Sequence, residues 1–210
     1  MEPDVAVSPR DAADDVLQRS YDLLDLAEGR KSLAPSIVSD LARYALVGGV
    51  AAIDTYFHWA IRRVDLAGEL PPELARIDVP YGELLTMGKR SVEARKAKSN
   101  DRPQTRARNV LNTALLRMTF QSRGAVERGF RMLGISDCWN KLAVEMVYSA
   151  VDVRARLDQI VWRRNLIAHE GDLVRQLRPQ YIQREAIECK EVREHLDWIA
   201  DFLDAASAIP

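Results

Sequence analysis

The stretch YALVGGVAAIDTYFHWAI, residues 44–61, decides the fold of this chain. It is strongly apolar, but it also carries Asp54, Thr55 and His58 among its apolar side chains. A helix that spans a membrane needs about 20 mostly apolar residues with few or no charges, and this stretch does not provide them. We therefore expect it to form the buried core helix of a helical protein.

Helical patterns continue on both sides of this stretch, with apolar residues at helical spacing and capping residues at the ends. The residues between 64 and 80 include three prolines and predict a connector with at most a short helix. We expect helices over residues 9–28, 36–63, 81–97, 103–120, 123–133, 138–169 and 182–206, the sixth with a bend or break at Ser149 or Asp152. The pattern contains no strand-like alternation, so it predicts an all-α helical bundle.

The chain has 210 residues, enough for one domain with a substantial core. Apolar residues make up 47% and charged residues 29%, which is typical of a soluble globular protein. We expect one helical domain over residues 1–210, with residues 36–210 as its core. Residues 1–35 would add an N-terminal helix that either packs on the bundle or lies at its periphery.

The location expected from sequence is the cytoplasm, without attachment to a membrane. Residues 1–5 contain neither a basic nor an apolar run, so no secretory signal is indicated. Cys138 and Cys189 lack the spacing of a metal site or a redox pair, which favours two buried or half-buried thiols. The three histidines also lack metal-ligand spacing, so neither a metal nor a cofactor is expected.

Charge is unevenly distributed along the chain. Residues 1–30 contain eight acidic and three basic residues, whereas residues 88–108 contain eight basic and two acidic residues. A basic segment of this kind can follow a phosphate backbone, and the alternative is a solvated loop or a patch that pairs with the acidic N-terminal helix. The candidate RNA-binding residues are Lys89, Arg90, Arg95, Lys96, Lys98, Arg102, Arg106 and Arg108.

The sequence RRNLIAHEGD, residues 163–172, is the best candidate for chemistry. It predicts the last turns of a helix that ends at Gly171, with Arg164 and His169 near one face and about one and a half turns apart. A guanidinium beside an imidazole can hold a phosphate and move a proton. The alternative is structural: Arg164 pairs with a carboxylate such as Asp158 or Asp172, and His169 caps the last carbonyls.

The remaining histidines and the tryptophans favour structural roles. His58 lies one helical turn after Asp54, which predicts either an internal hydrogen-bonded pair or an accessory polar pair in a cleft. His195, among charged residues of the last helix, is expected to face solvent. The tryptophans are expected in the core or in a dimer interface: Trp59, Trp139, Trp162 and Trp198.

Together, these features resemble the HEPN superfamily, and within it the RiboL-PSP-HEPN group. The resemblance covers about residues 38–206. It rests on an Arg-Asn-x3-His motif at the end of the penultimate long helix and on the order of the helices around it. The matching segments are IDTYFH (53–58), LDQIVWRRNLIAH (157–169) and LDWI (196–199). In members silenced by a nucleotidyltransferase partner, a tyrosine stands two residues after the histidine, and here that position is Gly171.

The resemblance implies a helical bundle of the HEPN type and a metal-independent endoribonuclease, often a toxin or an abortive-infection effector in antiviral defence. Arg164 and His169 correspond to the catalytic pair and Asn165 to its polar support, with Asp54 and Arg163 as accessory residues. The family also implies a homodimer in which both motifs form one composite cleft, and an antitoxin or other regulatory protein as a further partner.

The residues suggest a mechanism in which the ribose 2′-OH attacks the neighbouring phosphate. His169 would take the proton of that hydroxyl or deliver one to the leaving 5′-oxygen, while Arg164 would hold the charged phosphate. One histidine per chain does not easily serve as both acid and base, and a two-fold dimer would supply two. The alternative is a catalytically inactive module of the same fold that binds RNA or a partner protein.

Overall fold

The computed structural model describes residues 6–97, 103–178 and 180–209. These residues form helices and connectors, with one isolated β-bridge between Leu173 and Arg184. The helices of the described residues are α1 (Pro9–Gly29), α2 (Pro35–Ile61), α3 (Pro72–Ala75), α4 (Tyr81–Lys96), α5 (Pro103–Leu115), α6 (Arg123–Met132), α7 (Cys138–Met146), α8 (Ala150–Glu170) and α9 (Cys189–Ala208). The expected all-α fold is confirmed.

The long apolar helix α2 occupies the centre of the bundle. By length and composition it could also cross a membrane, but here it packs against α1, α6, α8 and α9. Its Phe57 ring is fully buried and meets the ring of Phe130 edge-on, with centroids 5.0 Å apart. Both cysteines are free thiols, Cys138 buried and Cys189 half-buried, as their spacing predicted.

The N-terminal helix α1 is part of this core. It begins with a capping box, in which the Ser8 hydroxyl accepts from the Asp11 amide at 3.0 Å and the Ser8 amide donates to the Asp11 carboxylate at 2.7 Å. Its buried face packs on α2 and α9 through residues such as Leu17 and Leu24. Among the described residues, the α1 carboxylates pair with arginines of α1 and α9 and not with the segment 88–108.

The predicted bend or break at Ser149 or Asp152 is confirmed. Residues 138–169 are divided into α7 and α8, and the Ser149 hydroxyl caps α8 by accepting from the Asp152 amide at 3.1 Å. Two other helix boundaries differ from the sequence prediction. The helix predicted to reach residue 120 ends at Leu115, five residues early. The last helix begins at Cys189 and not at residue 182, because residues before it adopt an extended path along the end of α8.

The prediction that His195 faces solvent is wrong. The residue is only 3% exposed, on the inner face of α9. Burial lowers the pKa of its imidazole to about 4, and the nearby charges of Arg156 and Arg163 act in the same direction. The carboxylate of Glu191 lies 3.7 Å from its Nε2 atom. His195 is therefore a neutral core residue at neutral pH.

This burial predicts that acid destabilises the protein through His195. The unfolded chain protonates the imidazole near pH 6.5, whereas the folded protein does so only near pH 4. The unfolded state therefore binds more protons between these values, and the free energy of unfolding falls as the pH is lowered, by on the order of 2–3 kcal/mol. Urea denaturation at pH 7 and pH 4.5 measures the loss in the wild type and in His195→Gln. An equal loss in both proteins would show that His195 is not its source.

Candidate functional site

The Arg-Asn-x3-His motif lies in the last two turns of α8, at an exposed end of the bundle. Helix α8 ends because Gly171 adopts φ 64°, in the left-handed region that suits glycine. The amide of Asp172 then turns back and donates to the carbonyl oxygen of Leu166 at 3.0 Å. This ending follows directly after His169 and leaves its imidazole exposed, as the sequence indicated.

The prediction that Arg164 and His169 lie near one face of the helix is wrong, although both lie in the last two turns of α8. Five residues of an α-helix rotate the side chains by about 140° and separate them by about 7.5 Å along the axis. Asn165 and His169 are four residues apart, so their side chains leave the helix on nearly the same side, and both are exposed. The long side chain of Arg164 must therefore reach around the helix to meet a group held by His169.

The guanidinium of Arg164 is held by neutral amides. It donates to the Asn165 side-chain oxygen at 2.8 Å and makes a second, short hydrogen bond to the Gln121 side-chain oxygen. The described ion pairs also exclude the structural alternative raised by the sequence. Asp158 lies 3.5 Å from Arg123, and Asp172 binds other arginines. Among the described residues, no directly bonded carboxylate compensates the positive charge of Arg164.

Gln121 is a site residue that the sequence did not reveal. It lies 43 residues before Arg164, in the connector after α5. Its amide nitrogen donates to the Asp54 carboxylate at 3.3 Å, so Gln121 joins Asp54 to Arg164. No spacing or motif marks this residue, because the contact depends on how the connector returns to α2.

Asp54 fixes that connector. One of its oxygens accepts from the backbone amide of Phe120 at 2.5 Å, and the other accepts from Gln121. The neighbouring His58 lies 3.7 Å from Asp54 and donates through Nε2 to the carbonyl oxygen of Met118 at 3.2 Å. Asp54 and His58 therefore shape residues 118–121, and Asp54 reaches Arg164 only through Gln121.

Arg163, expected as an accessory residue, belongs to a buried ionic cluster. Its guanidinium makes a bidentate pair with Asp172, one of whose oxygens also accepts from Arg43 at 2.8 Å. Asp172 is fully buried, and the two guanidiniums also donate to the carbonyl oxygens of Glu185 and Ala186. This cluster fastens residues 172–186 to α2 and α8, immediately after His169.

The surroundings of His169 are polar and open. Among the described residues, its imidazole makes no hydrogen bond. The next residue, Glu170, binds Arg175 at 2.9 Å, and this hydrogen bond lowers the pKa of the Glu170 carboxyl, with a smaller contribution from the charge of His169. Both ring nitrogens of His169 are therefore available to an incoming group.

The candidate RNA-binding residues separate into three groups. Four lie exposed on α4: Lys89, Arg90, Arg95 and Lys96. Arg106 donates to the Ser91 hydroxyl at 2.9 Å and ties α5 to α4, while Arg108 donates to carbonyl oxygens at the end of α2, at 2.8 Å for Val64. These contacts give Arg106 and Arg108 structural roles within the protein. Lys98 and Arg102 lie outside the described residues.

Apolar side chains are exposed beside the motif and, separately, near the start of α8. Trp162 is 62% exposed and lies one turn before Asn165. Val144, Val147, Tyr148 and Val151 are exposed where α7 ends and α8 begins. Trp162 lies about 16 Å along the helix from Val151, with the exposed Asp158 between them. Of the remaining tryptophans, Trp139 and Trp198 are buried and Trp59 is partly exposed. Exposed tryptophans are enriched at surfaces that contact another protein.

Comparisons with models of known protein families, with curated proteins and with solved structures find no match for this chain. Its function must therefore be argued from the geometry of its own residues.

Proposed function

We propose that this protein is a metal-independent endoribonuclease with a helical bundle of the HEPN type. The observation that carries the proposal is the state of Arg164, a half-buried guanidinium oriented by the neutral amides of Asn165 and Gln121, about one and a half helical turns before the exposed His169. Arg43 and Arg163 bind carboxylates in this protein, whereas the buried Nε atom of Arg164 has no hydrogen-bond partner among the described residues. An oriented cation without a carboxylate partner is suited to an external phosphate.

The proposed reaction uses the ribose 2′-OH as the nucleophile. One imidazole removes its proton, the 2′-oxygen attacks phosphorus, and the 5′-oxygen leaves with a proton from a second acid. Arg164 binds the non-bridging oxygens, where negative charge increases in the pentavalent transition state. The products are a 2′,3′-cyclic phosphate and a 5′-OH, and DNA is not cleaved because it lacks the nucleophile.

The second acid comes from a second copy of the chain. The exposed Trp162 lies beside the motif, and its burial in a symmetric dimer would bring two copies of α8 together. The one composite cleft of the dimer would then contain two His169 imidazoles and two Arg164 guanidiniums. The exposed cations of α4 would guide the RNA towards this cleft.

In the cell, we propose a cytoplasmic toxin or abortive-infection effector that acts in antiviral defence, held in check by an antitoxin or another regulatory protein. A nuclease without a metal requirement needs such control, because neither a cofactor nor an ion limits when it acts.

The test is cleavage of a labelled structured RNA and of the DNA with the same sequence, both in EDTA. We expect cleavage of the RNA alone, with 2′,3′-cyclic phosphate ends identified by mass spectrometry of the products. An RNA carrying a 2′-O-methyl group at the mapped cleavage site is the matched substrate control and should resist. Cleavage of the methylated RNA or of DNA would contradict the 2′-OH mechanism. Tight RNA binding without cleavage would favour the inactive binding module.

Gln121 provides a further prediction within this proposal. Gln121→Leu removes the hydrogen bond that orients Arg164 but keeps a side chain of similar size. We expect cleavage to slow by about 10- to 100-fold, because hydrogen bonds to charged groups contribute about 1.5–3 kcal/mol. Single-turnover rates measure the loss, and RNA affinity should change much less. Gln104→Leu, on the exposed start of α5, is the matched control. Equal rates in Gln121→Leu and wild type would remove Gln121 from the site.

A further inference from the structure

Helix α4 exposes a second apolar surface, away from the motif. The side chains of Tyr81, Leu84, Leu85 and Val92 are 73, 50, 45 and 52% exposed, and we call these four residues the α4 stripe. At 100° per residue they lie within about 100° of arc on one side of the helix. Met87 and the buried Ala94 lie about 110–130° around the helix from the centre of the stripe, so α4 packs on the protein beside the stripe and leaves the stripe in water.

The α4 stripe borders a recess of about 260 Å³ between α3, α4 and α5. Leu84 belongs to both, so the recess continues the stripe inwards. The other apolar side chains of the recess include Leu66, Leu70, Leu74, Ile77 and Met87. At the centre of the stripe is Gly88, where an added Cβ atom would meet open space. The surface is thus concave on one side and flat at its centre, so another backbone can approach closely.

Cations border this apolar surface on the side away from the recess. On the helical wheel, Lys89 and Lys96 flank the stripe beyond Leu85, and Arg95 lies at its C-terminal end. All three are exposed, and among the described residues none has an ion pair. A partner that covers the stripe must therefore offer apolar side chains at its centre and negative charge at its edge.

We infer that the α4 stripe and its recess bind an acidic amphipathic helix of a partner protein. Such a helix would place apolar side chains at positions i, i+3, i+4 and i+7 on the stripe and in the recess. Its carboxylates would face Lys89, Arg95 and Lys96. RNA supplies the charge, but its bases stack on aromatic rings, and three of the four stripe residues and the side chains of the recess are not aromatic. A planar lipid surface would cover the stripe but leave the recess unfilled.

This inference goes beyond the proposed function, because docking of the helix does not require the protein to be a nuclease. It does have a consequence if the protein is one. The helix and the RNA would compete for Lys89, Arg95 and Lys96, so a bound acidic helix would lower RNA affinity without touching Arg164 or His169. The same surface would then serve as the point at which a regulatory protein acts.

The experiment uses the full chain and two fluorescent peptides of 18 residues. One peptide has leucines on one helical face with glutamates beside them, and the other has lysines in place of the glutamates. Anisotropy should show binding of the glutamate peptide about 10- to 100-fold tighter than that of the lysine peptide, because several surface ion pairs are exchanged for repulsions. Equal binding of the two peptides, or no binding, would overturn the inference.

Variants locate the site. Leu85→Glu should weaken binding of the glutamate peptide at least tenfold, whereas Leu177→Glu, another exposed leucine, should not. The double variant Lys89→Glu/Lys96→Glu should reverse the preference and bind the lysine peptide more tightly, which a simple loss of folding would not produce.

Binding to phosphatidylserine vesicles that depends on Leu85, with no peptide binding, would show a lipid-binding surface and overturn the inference. If the glutamate peptide binds but RNA affinity is unchanged, the docking site is supported and only the predicted competition between helix and RNA is contradicted.

Discussion

Replacement of Asp172 by alanine is expected to destabilise the protein by about 3–5 kcal/mol. Asp172 is fully buried between two guanidiniums, and the side chains of Arg43 and Arg163 are only 9% and 11% exposed. Without the carboxylate, two like charges would remain close together and largely shielded from water. Urea denaturation at pH 7 measures the effect. Asp158→Ala removes an exposed carboxylate near Arg123 and should cost less than about 1 kcal/mol.

Two further substitutions separate charge from backbone strain at this position. Asp172 has φ 59°, in the left-handed region that glycine adopts freely and asparagine tolerates. If the charge is the cause, Asp172→Asn and Asp172→Gly should both lose most of the stability that the alanine variant loses. A glycine variant close to wild type would attribute the loss to strain and contradict the ionic explanation. Asparagine keeps the size of the side chain and is the variant with the best prospect of a soluble protein.

The Asp172 cluster also explains where prediction from sequence succeeded and where it failed. Local signals predicted the helix starts after Ser8 and Ser122 and the end at Gly171, because a cap depends on residues a few positions away. They also predicted the break in the helix 138–169 at Ser149 or Asp152. The start of the last helix was misplaced. Before it, Arg43 and Arg163 bind the carbonyl oxygens of Glu185 and Ala186, and the Glu185 amide donates to the Asp172 carbonyl oxygen at 2.8 Å. These partners are distant in sequence, so no local pattern reveals them.

The candidate site also has one part that can be predicted from sequence and one part that cannot. The exposed end of α8 and the positions of Arg164, Asn165 and His169 follow from a helix that ends at a glycine. Gln121 could not be found, because its role depends on Asp54 binding the amide of Phe120 and drawing the connector towards α8. His195 was placed on the wrong face because charged neighbours in sequence do not report the helical direction that meets the core. Motif residues on one helix are thus predictable, whereas those that orient them from another helix are not.

Replacement of His169 by alanine is expected to reduce RNA cleavage by about 10²- to 10⁴-fold, the usual contribution of a general acid or base. The side chain is exposed and makes no hydrogen bond among the described residues, so the free energy of unfolding should change by less than about 0.5 kcal/mol. Single-turnover cleavage in EDTA and a urea titration measure the two quantities. Glu170→Gln changes the adjacent exposed residue and should retain activity within severalfold. Equal rates for His169→Ala and wild type would remove His169 from the mechanism.

RNA affinity distinguishes the nuclease from a binding module of the same fold. If His169 acts on protons, His169→Ala should bind uncleavable 2′-O-methyl RNA nearly as wild type does, because Arg164 and the exposed cations of α4 supply most of the phosphate binding. The double variant Lys89→Glu/Lys96→Glu should show the opposite pattern, with weaker binding and a shallower salt dependence, because each phosphate contact contributes to the slope. If the protein is only a binding module, the double variant should abolish its activity in cells and His169→Ala should retain it. If the protein is a nuclease, His169→Ala should abolish its activity in cells even though the variant still binds RNA.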